Sequence, residues 1–144
     1  FGHFKVALIG YLKLKLIAID RQKVIVKIPL FRRSKNHLQS MYFGALAVGA
    51  DVAGGLLAFY FAEEKKYQLS LAFKSFQADF IRRPHGDVFF ICEEGTVIEA
   101  LLAEANNNKE RMNQMISIQA FTSYPQQPEL IARFKLELSV KITN

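Results

Sequence analysis

The stretch MYFGALAVGADVAGGLLAFYFA, residues 41–62, decides how the rest of the chain has to fold. Its 22 residues include six alanines, four glycines and a single charged residue, Asp51. An apolar run of this length is typical of a helix, because strands are much shorter. A helix that is apolar on all sides has to be buried on all sides, so we expect it at the centre of the core.

A transmembrane helix is the competing interpretation, since about 20 apolar residues span a bilayer. Asp51 would then lie near the bilayer centre, at a cost of about 2.5–3.5 kcal/mol. Small residues also drive membrane insertion weakly, and the other segments have the alternation of half-buried strands. The sequence therefore favours a core helix and predicts no membrane span.

The segments before this helix alternate between apolar and polar residues, as strands do. Residues 12–18 and 24–30 show this period of two on either side of a polar tetrapeptide, which predicts a hairpin. Residues 31–37 form a polar loop. Residues 1–10 have the pattern of a short helix. Residues 7–12 are apolar but too short for a secretion signal, so we expect no targeting segment here, although a start at Phe1 indicates missing or processed residues upstream.

The segments after the helix predict more strands and a second helix. Residues 69–80 change the phase of their alternation near Lys74 and Ser75, which indicates a bulge. A turn at residues 84–87 leads to a strand over residues 88–92. Three further elements follow: a helix over residues 95–105 that ends at the asparagines 106–108, and strands over residues 111–122 and 130–142 that form a hairpin across residues 124–129.

The element order is therefore β-β-α-β-β-(α)-β-β in a single domain, residues 1–144. One sheet has to enclose the apolar helix, because the chain has too few other helices to cover it. We expect an α+β domain in which a curved antiparallel sheet wraps around one long central helix. The free face of such a sheet commonly pairs with a second copy, so we expect a homodimer or a dimer of dimers.

The charge and the cysteine count set limits on partners and location. A net charge of +6 suits nucleic acid, an anionic membrane or a phosphorylated ligand, or serves solubility alone. Nucleic acid is the least favoured, because the chain has no Arg/Lys-rich helix and no aromatic stacking motif. The single cysteine, Cys92, allows no intramolecular disulfide, so we expect a reducing, cytoplasmic location and treat Cys92 as a core residue.

Asp51 is the outstanding candidate for chemistry. A carboxylate in a buried apolar helix needs a reason, because burying an uncompensated charge is costly. It could be a general base that deprotonates water. The structural alternative is a carboxylate that is capped by backbone or by a serine hydroxyl, or one that is exposed on the helix surface.

The loop before the helix carries a recognisable pattern, NHLQSMYFG over residues 36–44, followed by Ala50-Asp51. It resembles hotdog-fold acyl-CoA thioesterases of the phenylacetate (PaaI-like) branch, whose pattern is N-x-x-G-[ST]-x-H-G-G and then an apolar run ending in Ala-Asp. The residues that match are Asn36, Ser40, Gly44 and Asp51. A second stretch, FIRRPHGD over residues 80–87, is similar to the family's strand end F-L-R-P-x-x-G-D.

The chain departs from that family at the start of the helix. The family's His falls on Tyr42 and the Gly after it on Phe43. In this respect the chain more closely resembles a thioesterase-like group without an assigned activity, in which F-F-G-A-L or Y-F-G-A-L replaces His-Gly-Gly. Backbone N–H groups at a helix N-terminus are available whatever the side chain, but Phe43 is bulky and narrows the approach.

The resemblance implies hydrolysis of acyl-CoA or a similar acyl thioester at a site that two copies share. Asp51 would activate water, and the N–H groups at residues 42–44 would stabilise the oxyanion, with Asn36 and Ser40 in the same loop. By the same resemblance, the phosphates of coenzyme A, which is part of the substrate and not a cofactor, would bind Arg82 and Arg83 beside Pro84.

The basic residues have two interpretations. Arg32 and Arg33 precede the helix, and together with Arg82 and Arg83 they suit phosphate groups through charge-assisted hydrogen bonds. The alternative is ordinary solvated loop charge. The spacing of the histidines supports no metal site. The rival function is a non-catalytic acyl-CoA or lipid-binding module, which the loss of the His-Gly-Gly pattern favours.

Overall fold

The computed structural model describes residues 10–144. Its named elements, in chain order, are β1 (Lys15–Ile19), β2 (Val24–Ile28), α1 (Phe43–Lys65), β3 (Leu69–Phe80), β4 (Val88–Cys92), α2 (Gly95–Asn108), β5 (Met112–Thr122) and β6 (Glu129–Ile142). This order confirms the one predicted from the sequence. The helix predicted over residues 1–10 lies outside the described residues except at its end, where residues 10–12 are helical.

The strands form one antiparallel sheet in the spatial order β1-β2-β4-β5-β6-β3. Both predicted hairpins are present, and β3 pairs with β6 along its whole length. The register of that pair shifts between Phe73 and Ser75, which confirms the predicted bulge and explains the change of phase there. β1 and β3 are the two edge strands.

α1 is the core helix that the sheet encloses. Its buried side chains, among them Leu46, Leu57 and Phe61, belong to the same apolar cluster as Phe90 of β4 and Phe134 of β6. By length and composition α1 could cross a membrane, but 67% of its most apolar window is buried inside the protein. The apolar character of α1 is therefore satisfied by the sheet.

The expectation that α1 is buried on all sides is wrong: Leu56 and Tyr60 are half-buried, and a stripe in the first half of the helix is partly open. Phe43 is 62% exposed, and Ala47, Val48 and Asp51 are only half-buried. This stripe faces β3, the last strand of the sheet, and within residues 10–144 no further element covers it. An edge strand leaves the side of the core next to it partly open, and a shallow apolar depression results.

Several element boundaries also differ from the prediction, most clearly those of β1 and α2. β1 begins at Lys15 and not at residue 12, and Leu16 and Ile17, which are neighbours in the alternation, are 51% and 47% exposed. An edge strand with a single neighbour has little protein over its faces, so alternation there does not report burial. α2 continues through the asparagines predicted to end it, and Lys109 ends it in a left-handed conformation with φ of 54°.

Candidate functional site

A cavity of about 350 Å³ lies where the loop before α1 meets the end of β3. Its lining residues come from the two stretches that carry the motifs: Asn36, Ser40, Met41, Phe43 and Leu46 from the first, and Phe80, Ile81, Arg82, Arg83 and Pro84 from the second. The N–H of Met41 donates to the carbonyl oxygen of Pro84 at 3.2 Å and joins the stretches. The fold therefore brings both motifs into one site.

Asn36 organises the loop on its side of the cavity. Its Oδ1 accepts hydrogen bonds from the N–H of Leu38 at 2.8 Å and from both the N–H and the hydroxyl of Ser40 at 3.2 Å. Its backbone N–H donates to the carbonyl of Ser40 at 2.7 Å. The side-chain NH₂ of Asn36 makes no hydrogen bond to any residue in the described range, so it is the group of Asn36 that can face a ligand.

Gln39 explains one position of the family pattern. The pattern has glycine there, and Gln39 adopts a left-handed conformation with φ of 61°. Glycine reaches that region without a steric cost, whereas other residues pay about 1–2 kcal/mol. The loop therefore makes, with Gln39, a turn that glycine would make without that cost.

The N-terminus of α1 presents two backbone donors beside the cavity. The first bonds of the helix run from the N–H groups of Ala45 and Leu46 to the carbonyl of Tyr42, at 3.1 and 3.3 Å. The N–H groups of Phe43 and Gly44 precede these bonds in the chain, and neither N–H group donates to a residue between 10 and 144. Such donors, with the positive end of the helix dipole, favour an anion or a polarised carbonyl oxygen.

The Tyr42 side chain does not line the cavity. It lies along the first turn of the helix, and a Cβ atom on Gly44 would stand 2.8 Å from Cε2 of its ring. Burial is the main cause that raises the pKa of the Tyr42 phenol, with a smaller contribution from Tyr11. The residue at the family's His position thus contributes packing and its backbone conformation, and the small Gly44 makes room for its ring.

Arg82 and Arg83 stand on the other side of the cavity, in the segment after β3. The N–H groups of Ile81 and Arg82 both donate to the carbonyl of Ile131 at 2.8 and 3.2 Å, which holds this segment against β6. The Arg82 guanidinium lies 3.8 Å from the Glu129 carboxylate. Arg83 has no acidic group within 4 Å in the described part of the chain, so its charge is the less compensated of the two.

The other predicted phosphate ligands do not reach this cavity. The guanidinium of Arg33 stacks on the rings of Tyr11 and Phe31, at 5.1 and 5.0 Å, and its Nε donates to the carbonyl of Tyr11 at 2.8 Å. Arg32 is exposed and does not line the cavity. Arg33 therefore holds the loop to the helical turn at residues 10–12.

Asp51 lies apart from the cavity within one protomer. It is eight residues after Phe43, which places it about 12 Å further along the helix axis at about 1.5 Å per residue. It lines a separate, open depression of about 550 Å³, whose other lining residues are Phe43, Ala47, Val48, Phe73, Phe76 and Leu136. Phe43 is common to both spaces.

Sequence reasoning missed the aromatic wall beside the cavity. The rings of Phe43 and Phe80 meet edge to face at 5.4 Å between centroids, and Phe80 meets Phe134 in the same way at 6.1 Å. The sequence singled out Phe43 for its backbone N–H and for its bulk, but not for a contact with Phe80. A high phenylalanine content was the only signal, and it cannot show which rings meet, because they come from α1, β3 and β6.

Cys92 and the acidic residues do not form a further site. Burial raises the pKa of the Cys92 thiol to about 12, so the thiol is neutral in the core. Between residues 10 and 144, no three His, Cys, Asp or Glu side chains are arranged to hold a metal ion. Asp87, in the second motif, accepts from the N–H of Leu30 at 2.8 Å and pairs with Lys27 at 3.2 Å, so it anchors the turn to β2.

No protein-family model matches this chain, and no curated protein matches it in sequence. A protein of unknown function from Chlorobaculum tepidum has a similar structure, with a TM-score of 0.83 at 12% identity over 96% of this chain and 88% of that one. A protein from Pseudomonas aeruginosa described as a probable thioesterase has a TM-score of 0.78 at 21% identity, over 96% of this chain and 89% of that one. A thioesterase family protein from Silicibacter pomeroyi has a TM-score of 0.72 at 17% identity, over 94% of this chain and 90% of that one. These likenesses confirm the expected hotdog fold.

Proposed function

We propose that this chain is a thioester hydrolase that acts on acyl-CoA or a similar acyl thioester. The observation that carries the proposal is that Phe43, the first residue of α1, lines the same cavity as Arg82 and Arg83. The N–H groups of Phe43 and Gly44, with the NH₂ of Asn36, polarise the thioester carbonyl. Arg82 and Arg83 bind the phosphates of the coenzyme A moiety, which belongs to the substrate.

A second copy of the chain completes this site. Asp51 lies too far along α1 to act in the cavity of its own protomer, whereas a dimer can place it opposite the partner's cavity. β3 is the surface that suits such a dimer: it is a 12-residue edge strand, and Phe76 and Phe80 on it are 40% and 47% exposed. Long apolar edge strands readily pair with another chain, and a pairing here also roofs the open depression.

The proposed reaction uses no group beyond the chain and water. Asp51 takes a proton from water, and the resulting hydroxide attacks the carbonyl carbon of the thioester. The N–H groups of Phe43 and Gly44 stabilise the oxyanion that forms. When the carbon–sulfur bond breaks, the thiolate of coenzyme A leaves with the proton that Asp51 took from water. The Asp51 carboxylate is restored, and the acyl group is released as a carboxylic acid.

A non-catalytic acyl-CoA or lipid-binding module is the second candidate. The side chain of Phe43 favours it, because this large and exposed ring stands where the family pattern has glycine and crowds the approach to the N–H donors. Both candidates use the same cavity and depression. Both suit the cytoplasm, which we propose as the location because Cys92 is a free thiol.

The deciding experiment is a panel of acyl-CoA substrates with detection of the released thiol, combined with light scattering on the same samples. We expect turnover with at least one acyl group, by a dimer. Binding of acyl-CoA without thiol release would assign the module instead. A stable monomer with full turnover would contradict the shared site, because one protomer does not bring Asp51 to the cavity. As a control for assembly, Phe76→Glu should abolish the dimer, whereas Met115→Glu, at a similarly exposed position on β5, should leave it intact.

A further inference from the structure

The side chain of Phe43 is the wall between the two open spaces on this face of the protein. It lines both the cavity with the arginines and the depression with Asp51. No other residue in the described part of the chain lines both. The ring projects from the first position of α1, is 62% exposed, and rests edge to face on Phe80.

The two spaces differ in chemistry on either side of this ring. The cavity carries the polar groups of Asn36, Ser40 and the two arginines at residues 82 and 83. The depression is lined by aliphatic and aromatic carbon, with Asp51 as its one charged residue. A molecule with a charged head and an apolar tail matches a polar cavity that lies next to an apolar depression, provided that its tail can pass Phe43.

We infer that Phe43 is a specificity-determining residue that limits the length of the acyl chain, an inference that rests on the proposed function. With the ring in place, only a short or compact acyl group fits beside the donors of α1. Without it, the cavity and the depression form one continuous trough. Each further CH₂ group that enters apolar surroundings strengthens binding by about fourfold.

The test measures binding and thiol release for a series of straight-chain acyl-CoAs from acetyl to palmitoyl. In the wild type, we expect affinity to stop rising at a short chain length. In Phe43→Ala, the affinity should continue to rise with chain length, by up to about fourfold for each CH₂ group. The affinity of Phe43→Leu should stop rising at a chain length between those of the wild type and Phe43→Ala. Leu16→Ala removes an exposed apolar side chain of β1, far from the site, and should keep the wild-type profile.

A second variant tests the same inference without a change at Phe43. Ala47 lines the depression from the next turn of α1, and Ala47→Leu should shorten the longest chain that is accepted. The inference is overturned if the wild type binds or hydrolyses acyl-CoA but the profiles of the Phe43 and Ala47 variants run parallel to it. If the wild type neither binds nor hydrolyses any member of the series, the proposed function fails together with the inference.

Discussion

Gly49 of α1 lies directly against the ring of Phe90 in β4: a Cβ atom on Gly49 would stand 2.3 Å from Cε1 and Cζ of that ring. Phe90 is fully buried, and its ring also packs against Phe134 at 6.3 Å between centroids, so a shift of the ring would disturb contacts in the core. This contact therefore sets how closely the core helix approaches the sheet, and with it the position of the helix N-terminus at the cavity.

Gly49→Ala should therefore destabilise the protein. An added methyl group in a closely packed core typically costs about 1–3 kcal/mol. Gly55→Ala is the matched control on the same helix, because a Cβ atom there would have no atom of residues 10–144 within 4 Å apart from the nearby backbone of α1 itself. That change should stabilise by about 0.5–1 kcal/mol through helix propensity. Urea unfolding of both variants should give shifts of opposite sign, and equal shifts would contradict the close contact at Gly49.

Gln39→Gly should stabilise the loop before α1. Gln39 is exposed and left-handed, so its side chain adds no packing while its backbone bears a steric cost. Removing that cost should raise the free energy of unfolding by up to about 1 kcal/mol, after the greater freedom of glycine in the unfolded chain is subtracted. Gln39→Ala, which keeps the Cβ atom, should bring no gain. If both variants melt alike, the left-handed conformation is not what limits stability here.

Asp51→Asn should separate the enzyme from the binding module. The change keeps the shape of the side chain but removes its basic carboxylate. If Asp51 activates water, turnover should fall by roughly 10²–10⁴-fold, the usual contribution of a positioned acid–base group. Calorimetry should show nearly unchanged binding of acyl-CoA, because the carboxylate acts on water and not on the bound ligand. Full turnover in a variant with an unaltered melting temperature would refute the proposed mechanism.

Replacing both Arg82 and Arg83 with Ala should weaken the binding of coenzyme A and reduce its dependence on salt. Of the single changes, Arg83→Ala should have the larger effect, because Arg82 already lies near Glu129. Losing one charge-assisted hydrogen bond costs about 1.5 kcal/mol or more, which is about tenfold in affinity. Arg32→Ala should leave the calorimetric affinity for coenzyme A unchanged. If Arg32→Ala weakened binding as much as Arg83→Ala, the phosphates would bind at the loop before α1 instead.

The buried thiol of Cys92 predicts a loss of stability at alkaline pH. Burial raises its pKa from 9.0 to about 12. Between these values the unfolded chain ionises its thiol while the folded protein keeps the proton, so the stabilising contribution is complete below pH 9 and declines as the pH rises toward 12. Unfolding free energies measured across this range should fall more steeply for the wild type than for Cys92→Ala. Identical slopes would show that the thiol is not desolvated.

Much of the candidate site could be predicted because its two halves are local in sequence. The loop at residues 36–44 and the strand end at residues 80–87 each carry their own turn chemistry, in Asn36 and in Asp87. That the two stretches meet was implied only by the resemblance to hotdog thioesterases, and the structure shows it in the hydrogen bond from Met41 to Pro84. What could not be predicted is which side chains face the cavity. Tyr42 and Arg33 both lie near it in sequence but pack elsewhere.

By itself, the sequence determined that a long apolar helix exists, that six strands surround it in a given order, and that one strand carries a bulge near Ser75. These features depend on the spacing of apolar residues and on the free energy of burying them, and both are properties of each segment by itself. Only the tertiary structure decided that one stripe of that helix stays open and that Phe43 divides two spaces. Both depend on β3 being the last strand of the sheet, and strand order arises from pairing between segments that are distant in the chain.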